Sequence, residues 1–358
     1  MTNNDHQPIG IKELALNLGL STGTVSRSLN NRYGVNQETR AKVLEEARLR
    51  GYVPNASARR LKEHPVLNVG LFFAPFITSN HKINPAALHR VKEFHNEAAE
   101  AGMALQVVFY NNDQHLLAQV EEQHMNCAIF YGHFDPATFR AVHDFGLPVM
   151  ILDAHSEFPD QISVISDTCY TGSAAVQYLA ALGHERIGLL CGPTADLHGE
   201  SYLRGFRQAM DEFGLACRED WIFSLPIPAA NKDGARTALT TLFKQEDRPT
   251  ALVSASDWLT LGARQAAKES GLRLPEDLSI VSYDNLPIAS EVEPALTTFD
   301  IDIPRLARLV IRLAGQIIRR QDSGTNAPRR EILLRPNLIK RQSCRCLRQL
   351  STAPPLIS

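Results

Sequence analysis

Two aspartates, Asp153 and Asp284, each follow a run of apolar, β-forming residues. Side chains at the carboxyl end of a parallel strand enter the crevice of an α/β fold, where a carboxylate can accept hydrogen bonds from ligand hydroxyls. The competing role is local, because an Asp at a strand end often caps the helix that follows. Asp257 stands in the same relation to the run ending at Ser254, and capping and ligand contact are equally open for it. Trp258 and Phe76 offer aromatic faces that either stack on a ligand or fill core. A second group lies near the start of the chain. Ser21, Thr22, Gly23, Thr24, Ser26 and Arg27 are polar or small around a short helix, with Ser21 able to cap it. Hydroxyls at a helix N-terminus suit phosphates, and Arg27 can fork onto a guanine in a major groove. Any capped helix also carries a solvated face, so these residues alone leave both readings standing.

Other chemistry is not written in recognisable form. The chain has no Gly-x-Ser-x-Gly elbow after a strand (Gly19-Leu20-Ser21-Thr22-Gly23 joins two predicted helices), and no phosphate loop, metal cluster or Gly-x-Gly-x-x-Gly after a strand, which points away from an enzyme and from a bound cofactor. Cys127, Cys169, Cys191, Cys217, Cys344 and Cys346 are dispersed apart from one Cys-Arg-Cys, and read as free thiols. Met1 to Gly10 is polar, without the basic start and apolar centre of a secretory signal, and no apolar run reaches membrane-spanning length. These features predict a cytoplasmic protein with no membrane partner.

The elements that must hold these residues fall into three parts. Ile11, Leu14, Ala15 and Leu18 follow the spacing of a buried helix face. Gly19 then permits a left-handed turn, and Val25 and Leu29 continue the core on a second helix. A third helix over Gln37 to Arg50 should bury Val43, Leu44, Ala47 and Leu49. The stretch from Tyr52 to Lys62 is small and basic, with almost nothing to make a core. From Leu67 onward, short β-rich runs alternate with amphipathic helices. Strands are predicted at Leu67 to Ala74, Leu105 to Tyr110, Cys127 to Tyr131, Val149 to Leu152, Ile187 to Cys191, Trp221 to Leu225, Ala251 to Ser254 and Ser279 to Tyr283. Such alternation means parallel sheets covered by helices, and the strands are too many for one comfortable sheet, so two doubly wound subdomains are expected. At 44% hydrophobic and 21% charged, the 358 residues are those of a globular protein of two or three domains. Residues 1 to 64 hold ten Lys/Arg against six Asp/Glu; that surplus of four, with −2 overall, leaves −6 on the remainder. A basic head on an acidic body suggests a polyanionic partner for the head.

At Thr24-Val25-Ser26-Arg27, Leu29-Asn30, Thr39-Arg40, Val43 and Gly51-Tyr52-Val53-Pro54-Asn55 through Ala58 to Leu61, the chain resembles the head and hinge of the lac-repressor (LacI/GalR) family. The resemblance continues through Leu182-Gly183-His184-Glu185-Arg186-Ile187-Gly188, Arg204-Gly205-Phe206, Pro275-Glu276-Asp277-Leu278-Ser279-Ile280, Tyr283-Asp284 and Leu296-Thr297-Thr298. It implies a helix-turn-helix domain over 1–50, a hinge over 51–65, and a periplasmic-binding-protein-like body. The body divides into one subdomain of 66–165 with 297–328 and another of 166–296 with 329–341, with a tail over 342–358. It further implies a homodimer on a pseudo-palindromic operator, with Tyr52, Asn55, Ala58 and Arg59 in the DNA-binding hinge and Leu61 wedged into the minor groove. Thr22 and Gly23 fall on the family's operator-reading pair, and Ser256 on a ligand-contact position. Where the family usually has an effector-clamping arginine this chain has Tyr202, and Ala154 follows Asp153 where an arginine is frequent. Those departures point away from an acidic effector and toward a neutral sugar or polyol. The other binding class, a transport or sensing protein, would use the body but has no use for the head.

Overall fold

The computed structural model describes residues 11–29, 35–50, 66–74, 85–110, 116–155, 161–194, 197–227, 229–322 and 330–348. Residues 1–66 and 67–358 form two separately compact units. The first holds α1 (Ile11–Leu18), α2 (Thr22–Leu29) and α3 (Gln37–Leu49) around Leu14, Ala15, Val25, Val43 and Ala47. Gly19 takes φ 61°, and the Leu20 N–H donates to Ala15 O at 3.0 Å, closing α1 before the chain turns. Ser21 Oγ accepts from the Thr24 N–H at 3.1 Å and so caps α2, while Asn36 Oδ1 accepts from the Thr39 N–H at 2.7 Å and caps α3. Leu44 and Leu49, expected in this core, are exposed. Val43 and Ala47 already fill the one stripe that faces α1 and α2, and residues one or two further along point around the cylinder.

The second unit contains two six-stranded sheets. The first comprises β1 (Leu67–Phe73), β2 (Met103–Phe109), β3 (Cys127–Tyr131), β4 (Val149–Leu152), β5 (Ile162–Ser166) and β11 (Arg330–Leu334), in the order β11-β5-β4-β3-β1-β2 and parallel throughout. The second comprises β6 (Ile187–Cys191), β7 (Ile222–Ser224), β8 (Ala251–Ser254), β9 (Ser279–Tyr283), β10 (Thr297–Asp300) and β12 (Asn337–Ile339), ordered β12-β10-β9-β8-β6-β7 with only β12 antiparallel. Alternate residues of one strand enter different cores: Leu71 and Phe73 lie in one apolar cluster and Phe72 in another, as do Leu189 and Leu190. Both faces are therefore covered, and for that reason these strands read as unbroken apolar runs.

The chain crosses between sheets later than the sequence suggested. β10 is a strand of the second sheet, so residues 297–300 do not belong with the first subdomain. β11 pairs with β5, so residues 330–334 do not belong with the second. A short apolar run carries no mark of which sheet it will join. Between these strands, the helix Ile303–Asp322 packs on α4 (Pro85–Glu100) and buries Leu306, Ala307, Val310, Ala314 and Ile317, with Arg308 Nη2 2.8 Å from Glu97 Oε1. In the second subdomain α7 (Thr168–Ala181) and α8 (Leu197–Glu212) cross closely. A Cβ at Gly205 would stand 1.9 Å from Cys169 O, and one at Gly172 2.4 Å from Tyr202 O. In the first subdomain α5 (Leu116–Glu122) precedes β3 and α6 (Pro136–Asp144) follows it.

Candidate functional site

The carboxyl ends of β3, β4, β6, β8 and β9 open on one cavity, to which both sheets contribute. Asp153 and Asp284 sit on opposite sides, each in the left-handed backbone region, at φ 54° and 106°. Asp tolerates that region better than most residues, and the turn it makes lifts the side chain out of the strand plane. The neighbouring strand fixes each turn. The Asp153 N–H donates to Val164 O at 2.9 Å, and Asp153 Oδ1 accepts from the Ser166 N–H at 2.8 Å. The Asp284 N–H donates to Phe299 O at 3.0 Å. Asn285 Oδ1 then accepts from Arg341 Nη2 at 2.7 Å, tying this turn to the residues after β12.

Ser256, Trp258 and Leu259 reach the cavity from the start of a helix, Asp257–Glu269, which is capped by Ser256 Oγ accepting from the Trp258 N–H at 3.1 Å. Asp257 does not reach it. The carboxylate is fully buried, with Oδ2 accepting from the Leu286 N–H at 2.8 Å and Oδ1 from Thr298 Oγ1 at 2.9 Å. It holds β10 and the segment after β9 to the helix, a role that neither capping nor ligand contact described. Burial, with the charge of Asp284 adding to it, pushes its pKa up to about 7 from 3.8. The folded chain therefore binds this proton more tightly than the unfolded chain, so stability is greatest at the acid end and falls as pH rises from about 4 to about 7. Asp257→Asn is expected to flatten that slope, which amounts to a few kcal/mol at order of magnitude. Urea denaturation at several pH values checks this, and an unchanged slope would refute it.

Tyr202 is likewise outside the cavity lining. It is fully buried, its ring 6.2 Å from that of Tyr283. On α8, His198 and Gly199 face the cavity, and Tyr202 lies one turn behind them. Phe76 lies outside the described residues.

Arg90, unremarked in the sequence, also lines the cavity. The residue is 5% exposed, with Nη1 donating to Ala86 O at 3.2 Å, Nη2 3.4 Å from Asp284 Oδ1, and Cζ 5.2 Å from the Tyr131 ring centroid. Burial opposes its charge, but Tyr131, Asp284 and Asp153 more than offset that and hold its pKa above the usual arginine value. Burial raises the pKa of Asp284 despite this arginine, since one 3.4 Å contact does not replace lost hydration. In sequence Arg90 sits in the run His-Arg-Val-Lys-Glu, which reads as a solvated face. The overlooked signal is its spacing: Ala86, Arg90, Phe94 and Ala98 are four apart and all buried, so the arginine interrupts an apolar stripe. Arg90 thus gives the cavity the positive charge that Tyr202 and Ala154 do not supply, which corrects the expectation of an uncharged site.

In the first unit, Ser21, Thr22 and Gly23 are exposed and Thr24 half-buried, with Ser21 Oγ 2.9 Å from Thr24 Oγ1, so they share the start of α2. The side chains of Ser26 and Arg27 lie outside the described residues, as do Asn30, Tyr52, Asn55, Ala58, Arg59 and Leu61. Among the described residues, no helix is long and apolar enough to cross a membrane, and no group of His, Cys, Asp and Glu could hold a metal ion.

Residues 10–55 match the model of the bacterial regulatory proteins, lacI family, and residues 176–344 that of a periplasmic binding protein-like domain. The chain is 30% identical over 346 residues to the HTH-type transcriptional repressor PurR of Proteus mirabilis, covering 93% of this chain and 96% of that protein. It is 29% identical over 344 residues to the repressor of the same name from Photorhabdus laumondii, with the same coverage. Two solved structures share the fold: the lac repressor dimer bound to operator and the anti-inducer ONPF, and a complex of the transcriptional regulator CelR with cellobiose. The first superposes with TM-score 0.69 at 24% identity, over 95% of this chain and 100% of that one; the second with TM-score 0.67 at 24% identity, over 94% and 99%.

Proposed function

The chain belongs to the lacI family of bacterial regulatory proteins and is a DNA-binding transcriptional repressor with a small-molecule effector; from that membership we propose that the effector is a polyhydroxyl compound of the sugar or polyol class, bound in the cavity between the two sheets. The observation that carries this reading is the pair of strand-end carboxylates, Asp153 from one sheet and Asp284 from the other, facing one space that Trp258 also lines. Carboxylates accept from ligand hydroxyls, and an indole packs on the apolar face of a sugar ring. The proposed operator contacts are Thr22, Thr24, Ser26 and Arg27 in the major groove. Residues 51–65 act as the hinge, with Leu61 its minor-groove wedge. The active species is a homodimer, and its targets are genes of carbohydrate or related catabolism.

Control follows if the ligand prefers one arrangement of the two subdomains, because only differential affinity moves an equilibrium. Two hinges must meet in one groove, and a change in their separation weakens the grip on the operator. The test uses the full-length chain on operator duplex selected from random sequence. Aldoses, polyols and sugar acids are screened by thermal shift, and any binder is expected to change operator affinity by about tenfold or more. A panel in which no member raises the melting temperature would overturn the effector reading. Arg27→Ala is expected to weaken selected-site binding by about 1–3 kcal/mol while moving random-duplex binding much less. Equal losses on both duplexes would reduce Arg27 to a phosphate contact.

A further inference from the structure

We infer that Arg90 is the acid-recognising residue of the cavity: the effector is a sugar acid of the aldonate or uronate kind, and its carboxylate seats on the Arg90 guanidinium while its hydroxyls turn to Asp153 and Asp284. This deepens the reading above and rests on it. The guanidinium carries five N–H donors and no acceptor, so only acceptors satisfy it. Among the described residues it makes one bond to Ala86 O at 3.2 Å and one long contact to Asp284 Oδ1 at 3.4 Å. Nε is buried with no acceptor among the described residues. A structural ion pair between subdomains repays the desolvation of both charges only when geometry is good and the remaining donors are bonded. This pair has one long contact and leaves the Nε edge of the fork unmet.

The position of that fork decides the ligand chemistry. Arg90 reaches the cavity from α4 of the first subdomain, and Asp284 from the end of β9 in the second. A group seated in the cavity against both must present acceptors to Arg90 and donors to Asp284. A carboxylate with hydroxyl-bearing neighbours does both, and it matches a guanidinium with two parallel, charge-assisted bonds where a hydroxyl offers one neutral bond. His198, from α8 of the second subdomain, also lines the cavity and lies near Asp284.

The test is calorimetric titration of the full-length chain with matched pairs: D-gluconate and D-glucitol, D-galacturonate and D-galactose, D-glucuronate and D-glucose. At least one acid is expected to bind about tenfold or more tightly than its neutral partner. Arg90→Gln is expected to lower that acid's affinity about thirtyfold and the neutral partner's less than about threefold, with Arg90→Lys recovering part of the loss. If Arg90→Gln does not fold, the comparison of acid with neutral compound on the unaltered chain decides alone. A neutral partner that binds as tightly as its acid overturns the role of Arg90 and leaves the polyhydroxyl reading standing. Binding by neither member of any pair overturns both.

Discussion

Gly205→Val is expected to lower the melting temperature of the ligand-binding body by about 10 °C, or to prevent its folding outright. At this residue α8 presses against α7, and the first carbon of any side chain would fall 1.9 Å from Cys169 O and 2.7 Å from Cys169 C. Those atoms are backbone within a helix, so no rotamer change can move them aside. The helices must separate, and around them Val176, Leu179, Phe206 and Ala209 lose contact together. Small-to-large changes in a packed core usually cost about 1–3 kcal/mol, and collision with backbone on both sides of a helix pair places this one at the upper end. Gly172 repeats the arrangement from the opposite helix, 2.4 Å from Tyr202 O. Gly192→Ala, where an added methyl meets nothing within 4 Å, serves as the control. Equal melting temperatures for Gly205→Val and the control would show that the crossing is slack, contrary to the packing described.

Leu14→Ala is expected to abolish operator binding, by more than about a hundredfold, while the thermal transition of the body stays where it was. Among the described residues of the first unit, the buried apolar side chains are those of Leu14, Ala15, Val25, Val43 and Ala47, and Leu14 is the largest of them. Truncating a buried leucine to alanine costs about 2–5 kcal/mol, and a unit of this size has little more than that in reserve. With Leu14 gone, α1 no longer braces α2, and Thr22 and Thr24 lose their common presentation. Fluorescence anisotropy on labelled operator checks the loss, and calorimetric scanning follows the body separately. Operator affinity within about threefold of the unaltered chain would mean that the head is held by contacts other than this core.

What the sequence disclosed follows the range of the forces involved. The helical spacing of Leu14, Val25 and Val43 and the strand-end positions of Asp153 and Asp284 are local patterns, and the structure displays them where they were read. The role of Asp257 is not local: its partners, Leu286 and Thr298, are remote in sequence and meet it only when β9 and β10 are in place. Tyr202 was placed at the ligand by correspondence with a family position, whereas the turn of α8 gives that place to His198 and Gly199. β5 and β11 escaped notice for a different reason. β5 mixes serines with its isoleucines and valine, and β11 begins Arg-Glu; their pairing partners, not their composition, make them strands. Arg90 was hidden by its charged neighbours, although its place on a four-residue apolar spacing was open to inspection.

β11 lies at one margin of the first sheet and β12 at one margin of the second, and both come from the short stretch Arg330–Ile339. As the polypeptide leaves the ribosome, every cavity residue named above has emerged before either strand is available. Until then β5 and β10 each present an unpaired row of backbone amides and carbonyls, a template for pairing with another nascent chain. Completion of both layers is thus a single late event, coming after every cavity residue has been made. A frameshift just upstream of Arg330 would leave each ligand contact intact on paper and still yield a body prone to aggregate.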